Sequence, residues 1–545
     1  MNESATAHPP FWQNWSGNLK HVSPTDGAKY YFTPTNLTEL KAVLAEARQK
    51  GVTVQASGQR HSQPPLVADD NRHDPPRAPN AYLVDMSCYV DVGAHGIELG
   101  PGVNQVTVNP GVREDDVDAF LTKHNLMFKT VTAGGFFSLG GMTAVDVHGG
   151  TVEAPIFAET ASSFTMLGAN GNLTTIEATS PSVNGWSPLQ FARVSLGSLG
   201  IVTRMTLDVL PRPYATTLQG GTIRYLLKDK QAFVAEFKRQ LTGPAKHSRM
   251  EVFYTPYAAA PNLPFPALAN FLVLWWDVVD NPDPKIPNTA PDPKTACSLS
   301  QEGVFGAPLL GGIKGFAAKY VRESQYFSNP YNPFHFPPVP TAGFAAIALD
   351  EIESQSAAAN NVHSELWLAE SSQVMFMSYF IELPDLDTAG LGMVWDSLEV
   401  VARRVIQNDS FHIAAPMEFR FVKSGDSAMA GSYSKHANAY FVNVDLIGFI
   451  EATPTADYPE KLLQFFADVE RDWVAMDGFP HNGKMYGFYD PSKAAGTHTA
   501  AFNTNFLADL RKRRGERLKA FNDYRKAQDP TGLFYNSFLR QLLEG

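Results

Sequence analysis

Apolar positions along the chain change period several times, and each change marks an element. In residues 34–51 (PTNLTELKAVLAEARQKG), Leu37, Leu40, Val43, Leu44 and Ala47 recur on one side of a 3.6-residue period, which predicts a helix. Asn36 with Glu39 three residues on is a capping-box-like start, and Gly51 is a stop. The runs 52–57 (VTVQAS), 81–86 (AYLVDM) and 105–112 (QVTVNPGV) are β-rich, and 113–125 (REDDVDAFLTKHN) reads as a second helix. Residues 132–150 (TAGGFFSLGGMTAVDVHGG) hold six glycines and few charges, too Gly-rich for a regular helix or a flat strand. A hairpin is predicted at 164–176, turning on Asn170-Gly171. At 193–213 a serine–glycine loop precedes a strong β-run, closing a first unit at about residue 213.

Beyond residue 214, β-like runs at 374–383, 418–422 and 440–449 alternate with helical stretches such as 392–406. Two proline-rich insertions, 280–295 and 329–344, read as long loops over a second unit. The chain ends in a basic amphipathic helix, then Asp529-Pro530 and a packed tail. Helix–strand alternation of this kind predicts an α+β architecture.

Composition narrows the function classes. The 545 residues are too many for one ordinary core, and 44% hydrophobic with 18% charged is globular. A net charge of −11 argues against a nucleic-acid or anionic-membrane partner. Only Cys88 and Cys297 are present. They exclude a disulfide scaffold or multi-cysteine metal site and leave one disulfide open. No run of eighteen apolar residues occurs; 265–276 (FPALANFLVLWW) is too short to span a bilayer. The first residues lack a signal-peptide pattern. A soluble protein is expected, cytoplasmic, or secreted or periplasmic if a leader was trimmed. Oligomeric state is not readable. The 36 Phe suggest a roomy apolar pocket as well as a core.

The 14 His are scattered without HExxH, no GxSxG opens a helix, and neither GxGxxG after the first strand nor GxxxxGK[ST] is present. No metal site is expected. In 54–67 (VQASGQRHSQPPLV), His61 sits at a glycine turn, where a metal ligand, a general base, a surface residue or a cofactor anchor are all open readings. The glycines of 132–150 and 197–200 would let backbone N–H groups approach a pyrophosphate.

Taken together, SGQRHS (57–62), the loop at 132–150 and SLGSLGIVTRMTL (195–207) resemble the vanillyl-alcohol-oxidase (PCMH) type of FAD-linked oxidoreductase. FWQNWSGNL (11–19), EFRFV (418–422), the Gly-Lys at 483–484 and DPTGLFYNSFLRQLL (529–543) extend the resemblance over nearly the whole chain. Within the family it is most similar to the covalent-flavin type II cholesterol oxidases, more distantly to aldonolactone and alditol oxidases. The resemblance implies a two-domain flavoprotein: a bipartite FAD-binding domain at 1–213, a mixed-sheet cap over the substrate at 214–490, and a C-terminal segment, 491–545, returning to the FAD domain.

It also implies that His61 bonds covalently to the flavin 8α-methyl, as a single link because Gly135 to Ser138 contain no cysteine. The implied FAD contacts are Ser57, Gly58, Gln59, Arg60, Ser62, Gly134, Gly135, Ser138, Leu139, Gly140, Gly141, Val145, His148, Gly149, Gly197, Gly200, Ile201, Val202 and Asn536. Glu418 and Arg420, two apart on a strand, share a face. By resemblance Arg420 stabilises developing negative charge, Glu418 orients it and can take a proton, and Lys484 reaches the flavin edge. Asn482 stands where sugar oxidases have tryptophan, so that segment matches only in part. Gly150 stands where a hydroxyl residue is usual, which argues against a polyol. With the aromatic segments 265–276 and 329–344, this points to a bulky apolar alcohol such as a sterol. Its carbinol hydride would go to flavin N5, and molecular oxygen would reoxidise the flavin. A sugar alcohol or aldonolactone oxidase is the alternative. A dehydrogenase also stays open, since Val147 is bulky where oxygen access is controlled. A non-catalytic flavin-fold binding protein is the alternative from another class.

Overall fold

The computed structural model describes residues 11–22, 29–68, 81–132, 134–257, 269–279, 286–294, 297, 316–332, 339–359, 374–407, 410–436, 438–451 and 455–545. Three sheets and a two-stranded ribbon follow one another along the chain. The ribbon pairs β1 (Phe11–Gln13) with β2 (Lys20–Val22). The first sheet takes β3 (Tyr31–Phe32), β4 (Thr53–Ser57) and β5 (Ala81–Asp85), parallel, in the order β3-β5-β4. The helix Leu37–Lys50 is the crossover between β3 and β4. Asn36 accepts from the Glu39 amide, and Gly51 closes the helix at φ 66°. Its apolar stripe packs Leu40, Leu44 and Ala47 against Val54 and Leu83.

The second sheet is antiparallel, with six strands. They are β6 (Ile97–Leu99), β7 (Gln105–Val108), β8 (Leu126–Phe128), β9 (Ala161–Leu167), β10 (Leu173–Glu177) and β11 (Ile201–Pro211). The β9–β10 hairpin turns at Gly171, φ 81°, as the Asn-Gly pair predicts. The Gly-rich stretch is not wholly irregular. It contains the short helix Leu139–Ala144, because Leu139 and Met142 bury into the core beneath it.

The third sheet orders seven antiparallel strands β12-β14-β13-β16-β17-β15-β18. These are β12 (Leu218–Tyr225), β13 (Arg249–Tyr254), β14 (Phe271–Val278), β15 (Val374–Leu383), β16 (Met417–Lys423), β17 (Tyr440–Phe449) and β18 (Phe479–Pro480). Its two faces differ. One face, including Val252, Phe419, Val444 and Tyr379, is buried in the large core with the helices Lys230–Leu241, Thr388–Gln407 and Glu460–Ala475. The opposite face is apolar at Phe253, Leu272, Leu274 and Trp276, which pack with residues of the helix Thr341–Ala359. Further along it carries Glu251, Glu418, Arg420, Asn443, Asp445 and Ser378, all buried.

The expected long loop at 329–344 is corrected in part, since 341–344 open the helix Thr341–Ala359, while residues 286–294 of the other carry no helix or strand. Residues 271–276 of the aromatic run 265–276 belong to β14. Residues 265–268, 280–285, 295 and 333–338 lie outside the described residues. The open disulfide question is answered: Cys88 and Cys297 are bonded across 209 residues. The C-terminal helix Thr504–Gln528 bends at Gly515 (φ 54°, ψ −129°). The helix Ser537–Leu543 follows, and Leu533 and Phe534 join the core of the first sheet. No helix among the described residues is long and apolar enough to cross a membrane.

Glu470 ties three elements together from the helix Glu460–Ala475. It is fully buried, accepts from the Tyr379 hydroxyl at 2.6 Å, and accepts from the amides of Gly487 and Phe488 at 2.6 Å each. Glu470→Leu strips the acceptor from these buried donors. We expect a loss of about 3 kcal/mol of stability, read as a lowered urea midpoint of the holoprotein; a change within about 0.5 kcal/mol refutes the role.

Candidate active site

The turn after β4 is held on every side. The Trp12 indole donates to Ser57 at 2.9 Å, and the Trp15 amide donates to Arg60 O at 2.7 Å. Arg60 takes a left-handed φ of 58°, rare for a side chain of that size and therefore paid for by this clamp. The imidazole of His61 stacks on Trp15 at 4.4 Å between centroids and meets the edge of Phe137 at 4.6 Å. Next to it, Gln63 bonds the edge of β15: its amide donates to Val374 O at 2.8 Å and its carbonyl accepts from Phe376 N at 3.0 Å. The turn is thereby fixed to the third sheet.

The glycine segment forms the facing wall. Gly58 approaches Ser138 so closely that a Cβ would lie 2.1 Å from its Oγ. Buried Glu114 accepts from the Thr132 amide at 2.8 Å and also from the Thr132 hydroxyl, fixing the start of the segment. The loop 194–200 is held by Val194 N to Thr143 O at 2.9 Å and Leu196 N to Ala144 O at 3.0 Å. Val194 and Leu196 have φ of 52° and 57°, strain that this packing maintains.

Between these walls and the polar part of the third sheet lies a cleft with about 1810 Å³ of empty space, counted to its open mouth. Glu418, Arg420, Asp445, His148, His481 and Lys484 line it. Arg420 is 6% exposed and bridges two carboxylates, Glu251 at 2.5 Å and Glu418 in direct contact. A buried ion set of this kind is tolerable because each charge has an opposite neighbour. Lys484 Nζ stands 3.9 Å from the centre of the Phe376 ring. Its segment is placed by His481 N to Ser378 O at 3.0 Å and Met485 N to Phe376 O at 2.8 Å.

Burial governs the imidazoles. It holds His61 and His481 well below the usual histidine value, with Lys484 adding to the effect in both. His148 is brought down to about 3, by burial first and then by Arg420. The Gly483 amide donates to His481 Nδ1 at 2.9 Å, so neutral His481 carries its proton on Nε2. Asp445 is raised by burial, an effect opposed by Lys484.

Of the residues expected from sequence, His61, Ser57, Gly58, Gln59, Arg60, Ser62, Gly134, Ser138, Gly140, Gly141, Val145, His148, Gly197, Gly200, Val202, Glu418, Arg420 and Lys484 line this cleft. Gly135, Leu139, Gly149, Ile201 and Asn536 do not. Gly135 O accepts from the Asp115 amide, and Leu139 and Ile201 are buried in the cores. A Cβ on Gly149 would meet Val131 O at 2.0 Å. Asn536 caps the last helix and donates to Pro65 O at 2.9 Å, holding the chain beyond His61. Gly150 also lies off the cleft, paired with Met250 through a 2.7 Å backbone bond, so its missing hydroxyl says nothing about substrate. Asn482 turns away from the cleft to Asp146 Oδ2 at 2.6 Å. Sequence reasoning missed Glu251, Asp445, His481, Ser195 and Phe376. Strand period alone could have put Asp445 on one face of its strand, but its apposition to Glu418 is a matter of register.

Comparison with known proteins adds independent information. Residues 28–177 match an FAD-binding-domain family model, and residues 396–542 match the D-arabinono-1,4-lactone oxidase model. The two matches, each over about a quarter of the chain, support an FAD-linked oxidoreductase of the PCMH type. Among its relatives, L-gulonolactone oxidase of Bos taurus is 30% identical over 199 residues, which is 36% of this chain and 40% of that protein. D-arabinono-1,4-lactone oxidase of Yarrowia lipolytica is 27% identical over 33% of this chain and 32% of its own length. The alignments thus span about two fifths or less of these relatives. Over the whole fold, cholesterol oxidase from Brevibacterium sterolicum superposes with a TM-score of 0.69, covering 98% of this chain and 96% of that one at 15% identity.

The cleft fits the family's cofactor. Gly197, with open space where a Cβ would stand, lines it together with Gly58, Gly140, Gly141 and Gly200, and His61 Nδ1 is buried there without a hydrogen-bond partner.

The depressed His148 pKa has a sign that can be checked. Unfolded, the imidazole binds a proton below about 6.5; folded, it does so only near 3. Its contribution is therefore fully present above 6.5 and is lost as pH falls toward 3, by up to about 1.4 kcal/mol per pH unit. Thermal unfolding of His148→Gln should show a shallower fall in Tm between pH 6 and 4 than wild type; parallel curves refute it.

Proposed function

We propose that this protein oxidises a hydroxyl-bearing polar substrate of the aldonolactone or sugar-alcohol class, with FAD held in the cleft and linked covalently through His61. The observation that supports the substrate class is the polar wall of the cleft, where Glu418 and Asp445 stand with Arg420 and Lys484, and Glu251 holds Arg420 from behind. Such a wall can hydrogen-bond a substrate hydroxyl: Asp445 Oδ1 is buried without a donor among the described residues, and a hydroxyl would supply one where a hydrocarbon could not. Among the described residues, the segments that suggested a sterol do not line the cleft: β14 is interior to its sheet, and 329–332 and 339–344 are absent from the lining.

Bound FAD supplies the two-electron acceptor. Buried, stacked and neutral, His61 presents one orientation and an available ring nitrogen for the covalent link. Arg420, fixed by its two carboxylates, stabilises negative charge developing on the reacting oxygen. Lys484 supplies a cation at the same end of the cleft. Molecular oxygen is the proposed final acceptor, with Val147 on the cleft wall beside His148. A relative named L-gulono-1,4-lactone dehydrogenase, from Mycobacterium tuberculosis and 25% identical over 37% of this chain, supports keeping other acceptors as the comparison. The second reading, an apolar alcohol, is favoured by the rings of Phe136, Phe137 and Phe376 in the lining.

Anaerobic mixing separates the readings. L-gulono-1,4-lactone or xylitol should bleach the flavin and cholesterol should not; bleaching by cholesterol alone overturns the polar assignment. Bleaching by none of them favours a non-catalytic flavin protein. Acid precipitation should carry the yellow colour into the pellet for wild type and leave it in the supernatant for His61→Ala; wild-type flavin found wholly in the supernatant refutes the link. Arg420→Met should slow bleaching by about 10²–10³-fold while retaining flavin.

A further inference from the structure

Glu251 and Glu418 share one guanidinium and so neutralise it between them. Asp445 is differently placed. It faces Glu418 from β17 and Ser378 from β15, is 7% exposed and lines the cleft. Its Oδ1 is shielded from water and accepts no hydrogen bond. A buried carboxylate oxygen without a donor costs about 1–3 kcal/mol, and such groups persist where function uses them.

We propose that Asp445 is the catalytic base, taking the hydroxyl proton of the substrate as it is oxidised. This rests on the alcohol-oxidising reading above. The substrate O–H bond breaks and its proton goes to Asp445, while the electron pair of that bond becomes the second bond of the new carbonyl. The carbinol C–H bond breaks with its electron pair passing to the bound flavin. The substrate is oxidised by two electrons and the flavin is reduced by two. The proton returns to solvent as product leaves.

The neighbours are weaker candidates. Glu418 is engaged by Arg420. His148, near 3, is a poor proton acceptor, and His481 Nδ1 is occupied by the Gly483 amide. The groups acting on Asp445 also suit the role. Burial raises it and Glu251 adds to that, while Lys484, Arg420 and the Ser378 hydroxyl keep ionisation within reach. A base tuned upward from an ordinary aspartate is better matched to neutral pH.

The test uses holoprotein and whichever substrate bleaches wild type. Asp445→Asn, an isosteric change, should bind flavin normally, lower the limiting rate of bleaching about 10²–10⁴-fold and abolish the acid limb of its pH profile. Asp445→Glu should recover part of the rate. A rate within threefold of wild type with an unchanged profile overturns the proposal. A second measurement needs no turnover: the visible spectrum of the oxidised holoprotein is titrated with acid. A one-proton change in wild type that Asp445→Asn removes supports Asp445. Its absence from wild type, or its persistence in the variant, overturns the proposal. If no alcohol bleaches wild type, the functional reading falls, and the titration still decides whether Asp445 exchanges a proton in the cleft.

Discussion

The site depends on one guanidinium placed between two buried carboxylates. Without Arg420, the third sheet would hold Glu251 and Glu418 against each other away from water, an arrangement that costs several kcal/mol per uncompensated charge. With it, a strand buried along nearly its whole length can carry charge on one face and hydrocarbon on the other. The apolar face anchors the strand in the core through Phe419 and Phe421, so the charged face is presented to the cleft with little freedom. Preorganisation of this kind makes an electrostatic contribution to catalysis effective.

The same economy recurs where the first unit meets the third sheet. Gln63 supplies both an amide and a carbonyl to the edge of β15, completing a ladder that β18 covers only at Tyr379 and Phe380. The His61 turn and the Lys484 segment are therefore registered on one strand, Lys484 through Met485 N to Phe376 O. Asp146, buried and raised by burial, accepts from Gly431 N at 2.6 Å and Asn482 N at 2.7 Å. It joins the chain just before His148 to the segment carrying His481. The cleft is thus built from elements distant in sequence but cross-linked by side-chain-to-backbone bonds.

Much of this was legible before any coordinates. The Leu37–Lys50 helix was written in a 3.6 period and two caps, and the β9–β10 hairpin in one Asn-Gly pair. Glu418 and Arg420 shared a face by strand period alone. The short helix Leu139–Ala144 was hidden because its glycine content opposes helix formation, and only packing of Leu139 and Met142 selects it. Gly150 misled because a missing hydroxyl matters only at a position facing the cleft, whereas this one faces the Met250 backbone. Residues 271–276 of the aromatic run, which form part of β14, misled similarly. Strand period cannot say whether their rings enter a cavity or a sheet interior.

The sequence by itself determined the local elements, the cofactor family and the position of the histidine turn, since these rest on nearest neighbours, caps and glycine spacing. Tertiary structure decided which carboxylates meet. Glu251 lies far from Glu418 in the chain, and Asp445 reaches Glu418 only through the register of β16 with β17. Electrostatic character falls off over a few ångströms, so it is fixed by which strands become neighbours, and no local pattern encodes that pairing.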